Sequence, residues 1–382
     1  MISLSRTNRG AIAEWWWTVD KWTLLALILL MVVGAVLTLA ASPAVAMRIH
    51  LSPFHFVYRQ AIFYPPAIAI LIGVSLLPVR QVRRVATMVF LIAYVLMVMT
   101  LLFGPEVKGA TRWLQLGPIA IQPSEFVKPS FIVVTAWMFS EGMKSRRFPG
   151  TIIALALYTC VVAVLALQPD FGQLMLVTLA FGAIFFMAGL NWFWIVLLAV
   201  VAIGGAVAAY TFVPHVASRI DRFAHPASGD TYQVDKALDA FHAGGLFGRG
   251  PGEGEVKRIL PDAHTDFIFA VGAEEFGIAA GLLIIGLFSF ITLRSLGRAG
   301  EETDPFVQLS ACGLTMLFGM QALINMAVNV NLMPAKGMTL PFISYGGSSL
   351  IALAYTMGML LAFTRVRAGR QSASATVRGV FA

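Results

Sequence analysis

The sequence predicts an all-α integral membrane protein of about ten transmembrane helices, with one large extracytoplasmic loop between helices 7 and 8. Three observations carry that expectation. The 382 residues are 58% hydrophobic and only 12% charged, whereas soluble domains carry about 25% charged residues. Mean hydropathy is +0.81. The apolar residues also fall in uninterrupted runs, several of about 19 residues, long enough to cross about 30 Å of hydrocarbon as a helix.

In chain order the runs are residues 22–40, 61–79, 85–103, 126–139, 151–167, 174–190, 192–213, 276–293, 306–328 and 345–364. The fourth is short and has Lys128 near one end. The first is too long for a cleavable signal peptide and lacks a small-residue cleavage site. Trp15, Trp16 and Trp17 precede it and are expected to anchor at the interface. Cys160 and Cys312 fall inside apolar runs, so neither a disulfide framework nor a cysteine metal cluster is expected. The net charge of +8 is assigned to the flanks of membrane helices rather than to nucleic-acid binding.

Charge placement orients the chain. With the N-terminus inside, the inner segments hold 15 of the 27 Lys and Arg residues, the short outer segments hold 6, and the long loop 214–264 holds the rest. Long loops translocate regardless of charge, so 15 against 6 places both termini in the cytoplasm. The expected organisation is a cytoplasmic segment 1–21, a polytopic body 22–367 and a cytoplasmic tail 368–382. The loop is too small and too poor in apolar residues for an independent domain. Its stretch 244–252, GGLFGRGPG, is rich in turn formers. No G-x-x-x-x-G-K-[ST] occurs, so the stretch reads as a tight loop packed against the membrane surface rather than a nucleotide cradle.

Polar residues at membrane depth are costly and therefore point to function. They gather near the outer face. Gln122 or Ser124 can cap the short fourth helix, with Pro123 in its first turn. Glu125 and Lys128 stand at i, i+3 and can form a structural pair; alternatively, Lys128 or Arg112 faces a water-filled cavity and binds an anionic group. Asp170 caps the sixth helix or lines the same cavity. Asn325, Asn329 and Asn331 lead into 333–349, whose prolines and glycines predict irregular backbone at membrane depth, tolerated when buried in protein or lining a cavity. Asp266 sits where the loop meets the eighth helix. It must face polar groups or substrate, or serve as a helix-terminal carboxylate. Glu274 and Glu275 lie about two turns deeper, at least one facing the interior. No H-E-x-x-H or serine elbow is present, which disfavours a protease or metallohydrolase. These residues suit an enzyme or a transporter acting on an anionic lipid, or a scaffold for other proteins.

Four segments, 108–128, 168–172, 260–269 and 329–349, in that order resemble the SEDS family, whose members include FtsW and RodA. The resemblance covers residues 22–367. Ala263 before His264, and Lys336-Gly337-Met338-Thr339, resemble the cell-division branch; Asp262 stands where the family commonly has glutamate. The resemblance implies a peptidoglycan glycosyltransferase that polymerises lipid II into β-1,4 glycan at the outer face of the bacterial cytoplasmic membrane, at the division septum. Asp266 matches the family's essential aspartate and would be general base for the acceptor hydroxyl, with inversion at the donor carbon. Arg112, Lys128 and Lys336 would stabilise the departing diphosphate. Glu125, Asp170, Gln122, His264, Thr265 and Ser344 are further substrate-binding candidates. A divalent cation, Mg2+ or Mn2+, can share the electrostatic role, although no carboxylate cluster is dedicated to one. The implied partners are lipid II and the nascent glycan strand, membrane lipid, an FtsI-like class B penicillin-binding protein supplying transpeptidation, and divisome regulators. A lipid II flippase and a RodA-type elongation polymerase are the alternatives.

Overall fold

The structure is a computed structural model and describes residues 10–106, 110–117, 119–145, 147–189, 192–212, 214–224, 232–334 and 337–366. Each of the ten apolar runs becomes a helix. They are α2 (Lys21–Arg48), α3 (His55–Leu76), α4 (Val79–Phe103), α5 (Pro123–Lys144), α6 (Gly150–Leu167), α7 (Phe171–Met187), α8 (Trp192–Phe212), α11 (Ile268–Gly300), α12 (Pro305–Asn329) and α13 (Gly347–Phe363). Around them lie α1 (Ala11–Thr18), a hairpin of β1 (Leu114–Leu116) and β2 (Ile119–Ile121), and two loop helices, α9 (Pro214–Ala224) and α10 (Tyr232–Gly244).

Six helices, α2, α3, α4, α6, α11 and α12, are each long and apolar enough to cross a membrane. The shorter α7 and α13 are apolar throughout. Outward-facing Leu91, Ile92, Val95, Leu102 and Phe103 of α4 are exposed, as a lipid-facing surface requires. α5 differs because it carries Glu125, Lys128, Glu141 and Lys144. Polar groups are expensive against lipid, so α5 is drawn inside, where it packs on α4, α6, α7, α12 and α13.

α2 and α11 run antiparallel and define two faces. At one end Arg294 and Arg298 of α11 reach Asp20, the N-cap of α2, at 2.7 and 3.0 Å. Burial pushes the Asp20 carboxyl up, but hydrogen bonds from Arg294 and Thr23 and the two arginine charges outweigh it and hold the group below the ordinary range. At the other end Arg48 Nη1 donates to Leu260 O at 3.3 Å. The first and last described segments both lie on the Asp20 face, since Val366 N donates to Thr18 O at 3.0 Å.

Three local expectations change. Trp15 is not an interfacial anchor: it is buried, and its Nε1 donates to Ser75 Oγ at 2.8 Å. A buried indole N–H needs an acceptor, and Ser75 provides it. The fourth span is not short, because α5 extends beyond residues 126–139 at each end, from Pro123 to Lys144. Neither Gln122 nor Ser124 caps it by side chain; Gln122 is the N-cap residue without a side-chain bond, and Pro123 opens the helix as expected.

The glycine-rich stretch 244–252 is a tight, mostly exposed loop, as expected, and its backbone also closes a break in a neighbouring helix. α11 is broken at Gly277, whose φ is +74°. Loop groups replace the hydrogen bonds lost at the break. Arg249 N and Gly250 N donate to the carbonyls of Glu274 and Glu275 at 3.0 Å each, and Ile278 N donates to Gly245 O at 3.0 Å. A Cβ on Gly248 or Gly277 would collide with backbone of the opposing segment, so this approach requires glycine.

Candidate functional site

The site lies on the Leu260 face, opposite Asp20. Its centre is the turn before α11. Asp262 takes a left-handed conformation (φ 51°) that aspartate tolerates. Its carbonyl accepts from Thr265 N at 3.0 Å, Asp266 N at 3.1 Å and Phe267 N at 3.3 Å. This folds Asp266 onto the rim of the bundle, partly exposed, just ahead of a helix N-terminus.

One face of α12 holds that turn. Asn325 and Asn329 Nδ2 each donate to Asp266 O at 2.9 Å. Asn329 Oδ1 accepts from Ala270 N at 3.2 Å, capping α11. Asn325 Nδ2 also reaches Met338 O at 2.6 Å, and Gln321 Nε2 reaches Thr339 O at 3.1 Å. The three amides recur every four residues, so they share a helix face. They tie the segment 337–346 to the same turn.

That segment is irregular backbone buried in protein, as its prolines and glycines predict. It passes against mid-α2, where a Cβ on Gly34 would strike the Phe342 carbonyl. Ser344 Oγ donates to Thr265 O at 2.5 Å and accepts from Leu340 N at 2.7 Å, while Tyr345 N donates to His264 O at 3.0 Å. Gly337, at φ +64°, borders the carboxylate: a Cβ there would lie 3.6 Å from Asp266 Oδ2. Phe56 packs against His264 at a tilt, with centroids 4.3 Å apart, and Tyr345 closes the cluster at 5.0 Å from Phe56.

Asp266, His264, Thr265 and Ser344 therefore come together, with the Ser344 hydroxyl engaged by backbone on both sides. Lys336 lies outside the described residues. Glu125, Lys128, Arg112 and Asp170 form a second cluster at the start of α5 and α7. Lys128 Nζ contacts Glu125 Oε1 at 3.0 Å and Gln173 Oε1 at 2.6 Å, and Gln173 Nε2 returns to Glu125 Oε1 at 2.9 Å. Lys128 is 2% and Glu125 4% exposed, so this closed triad presents no charge to the surface. Asp170 caps α7 by accepting from Gln173 N at 3.4 Å, and Arg112 lies 3.5 Å from its carboxylate while donating to Pro169 O at 3.1 Å. Gln122 is partly buried at the head of α5.

Glu274 and Glu275 both face the interior. Glu274 accepts from Val256 N and Lys257 N at 2.7 and 2.9 Å, and Glu275 pairs with buried Lys257. Sequence reasoning singled out none of Gln173, Gln321, Phe56 or Lys257. Gln173 and Gln321 carried the one available signal, an amide inside an apolar helix. Among the described residues no three His, Cys, Asp or Glu side chains converge as metal ligands.

A family model for FtsW, RodA and SpoVE, described as "Cell cycle protein", matches residues 21–368. The chain is 48% identical over 373 residues to a probable peptidoglycan glycosyltransferase FtsW of Caulobacter vibrioides, covering 97% of this chain and 96% of that one. It is 33% identical to the Coxiella burnetii protein of the same description, over 90% of this chain and 96% of the other. Among solved structures, it resembles a chain of a peptidoglycan synthase complex described as coordinating polymerization and crosslinking, with TM-score 0.76 and 25% identity over 91% of this chain and 97% of that one. It also resembles the rod-shape-determining protein RodA of Thermus thermophilus, with TM-score 0.67 and 26% identity over the same shares.

Proposed function

This chain belongs to the FtsW, RodA and SpoVE family of cell-cycle proteins, and from that premise we propose that it is a peptidoglycan glycosyltransferase polymerising lipid II into β-1,4 glycan during cell division. It is a multi-pass protein of the bacterial inner membrane. In this reading the Asp266 face is periplasmic, both termini are cytoplasmic, residues 22–367 form the catalytic body, and the enzyme works at the septum.

The observation that carries the reading is the Asp266 turn. A carboxylate stands at a rim between loop and membrane, on backbone held by two asparagine amides and closed by a buried irregular segment. A general base must be held within hydrogen-bond reach of the proton it takes, and rigid support of this kind achieves it. Asp266 accepts the proton of the acceptor's GlcNAc 4-hydroxyl as that oxygen bonds to the donor's anomeric carbon. The bond from that carbon to the lipid diphosphate breaks on the opposite face, so an α-linked donor gives a β product. Asp266 then returns its proton to water.

The leaving diphosphate requires positive charge. Lys336, covalently next to Gly337, and Arg112, partly exposed, are assigned to it. Lys128 is assigned to holding α5 and α7 together. Among the described residues no cage for Mg2+ or Mn2+ forms, so the ion would be held by the diphosphate with at most one carboxylate, a mode common for Mg2+; no step above depends on it. Likeness to a synthase complex that couples polymerization to crosslinking supports a class B penicillin-binding protein as partner.

The test is reconstitution of the purified chain with lipid II, with and without that partner and with and without divalent cation, resolving glycan by length. Polymer from wild type and none from folded Asp266→Asn is the expected result. Equal polymer from both removes Asp266 from the mechanism. No polymer from either, with the partner present, leaves a flippase or scaffold.

A further inference from the structure

On the Asp20 face, about the length of α11 from Asp266, α1 leans over the ends of α3, α4 and α13. Between them lies an open cavity of about 790 Å³, lined by Glu14, Trp17, Thr18, the α3–α4 turn from Leu77 to Arg80, and Ala362, Arg365 and Val366. Its size falls within the range of about 300–1,000 Å³ common for small-molecule sites.

We propose that this cavity binds the headgroup of an anionic phospholipid, held between the guanidinium groups of Arg80 and Arg365. Arg365 is set in place by hydrogen bonds from Nε to Thr18 Oγ1 at 3.0 Å and from Nη1 to Leu76 O at 3.3 Å. Arg80 is exposed and makes no ion pair among the described residues. Two arginines at one cavity select a phosphate, which guanidinium binds in a bidentate fork. The walls decide between a lipid and a free anion. Leu77, Val79, Ala362 and Val366 are apolar, and the cavity stands where the apolar helices α3, α4 and α13 end, the level at which a bilayer places its headgroups. The Trp17 indole, 43% exposed, is a side chain suited to that interface. Basic pockets between helix ends are a recurring way of holding such lipids. The segments that continue from α1 and from Val366, residues 1–9 and 367–382, carry Arg6, Arg9, Arg367, Arg370 and Arg378, so charge disfavours them as occupants. Glu14, 3.8 Å from Arg365, opposes an anion and tempers affinity.

The inference does not rest on the glycosyltransferase reading, and its assay uses no polymerisation. Native mass spectrometry of the full chain from neutral detergent, titrated with phosphatidylglycerol, phosphatidylethanolamine or inorganic phosphate, measures it. Phosphatidylglycerol should bind at least about tenfold more tightly than phosphatidylethanolamine. Arg80→Gln should weaken it about tenfold, the loss of one charge-assisted hydrogen bond. Arg258→Gln, on the opposite face, should not. Glu14→Gln should tighten binding, a gain that misfolding cannot produce. Equal binding of the two lipids, unchanged binding by Arg80→Gln, or displacement by millimolar inorganic phosphate would each overturn the proposal.

Discussion

The Asn329 side chain bridges the Asp266 carbonyl, at 2.9 Å, and the Ala270 amide, at 3.2 Å, so one residue of α12 fixes both the carboxylate's backbone and the first turn of the helix behind it. Asn329→Ala removes both bonds, leaving the Asp266 carbonyl to Asn325 and the Ala270 amide to Phe267 O, so the turn is held less tightly. Misplacing a reacting group by about 1 Å can cost about a hundredfold in rate. The variant should fold and reach the membrane, with kcat for lipid II polymerisation down about ten- to a hundredfold and KM little changed.

Gly337→Ala tests the wall of the site. A left-handed conformation costs a non-glycine residue about 1–2 kcal/mol, and the new methyl would face Asp266 Oδ2 from 3.6 Å. Glycan synthesis should fall about tenfold while melting in detergent shifts by only a few degrees. A fall in melting temperature that accounts for the lost activity would make Gly337 a folding residue.

The Glu125–Lys128–Gln173 triad separates a bundle-building lysine from a substrate-binding one. Lys128→Met leaves Glu125 buried without its cation, a loss of about 3–5 kcal/mol. The double variant Glu125→Gln, Lys128→Met removes both charges and should recover most stability and polymerisation. A double variant that is stable yet inactive would return Lys128 to the diphosphate.

Two glycines of one loop should respond differently. Gly248 and Gly252 both have positive φ, but only at Gly248 would a Cβ strike backbone, the Glu275 carbonyl; at Gly252 nothing lies within 4 Å. Gly252→Ala should cost about 1 kcal/mol of strain. Gly248→Ala should cost more, through expulsion of the loop from the break in α11. Thermal melting of both in detergent, with protease susceptibility of residues 244–252, measures the difference.

Asp20 predicts a pH dependence. Its folded carboxyl titrates below the unfolded value of 3.8, so the unfolded chain takes up the proton first as pH falls. The stabilisation is complete above the unfolded value and is lost as pH falls through the lower folded one. Asp20→Asn should lower stability by about 2 kcal/mol at neutral pH, and its gap from wild type in melting temperature should narrow toward pH 3.

All ten apolar helices were legible, because a long apolar run is a local feature of the sequence, and six of them are long and apolar enough to cross a membrane. Asp266 was legible for a related reason: a carboxylate at the edge of an apolar run is conspicuous, and its neighbours match a family pattern. The Glu125–Lys128 pair followed from helical spacing alone. Gln173, which completes that pair, lies 45 residues from Lys128 in sequence, Asn329 lies 63 from Asp266, and Ser344 lies 79 from Thr265. No local period encodes such distances. The burial of Trp15, the closure of the α11 break by 244–252 and the arginine-lined cavity on the Asp20 face likewise depend on which helices become neighbours. The sequence by itself therefore determined which segments form apolar helices and which carboxylate stands at the edge of one of them. Only the tertiary structure decided which polar groups meet, because inside the bundle each must find a partner across space, and helix packing selects it.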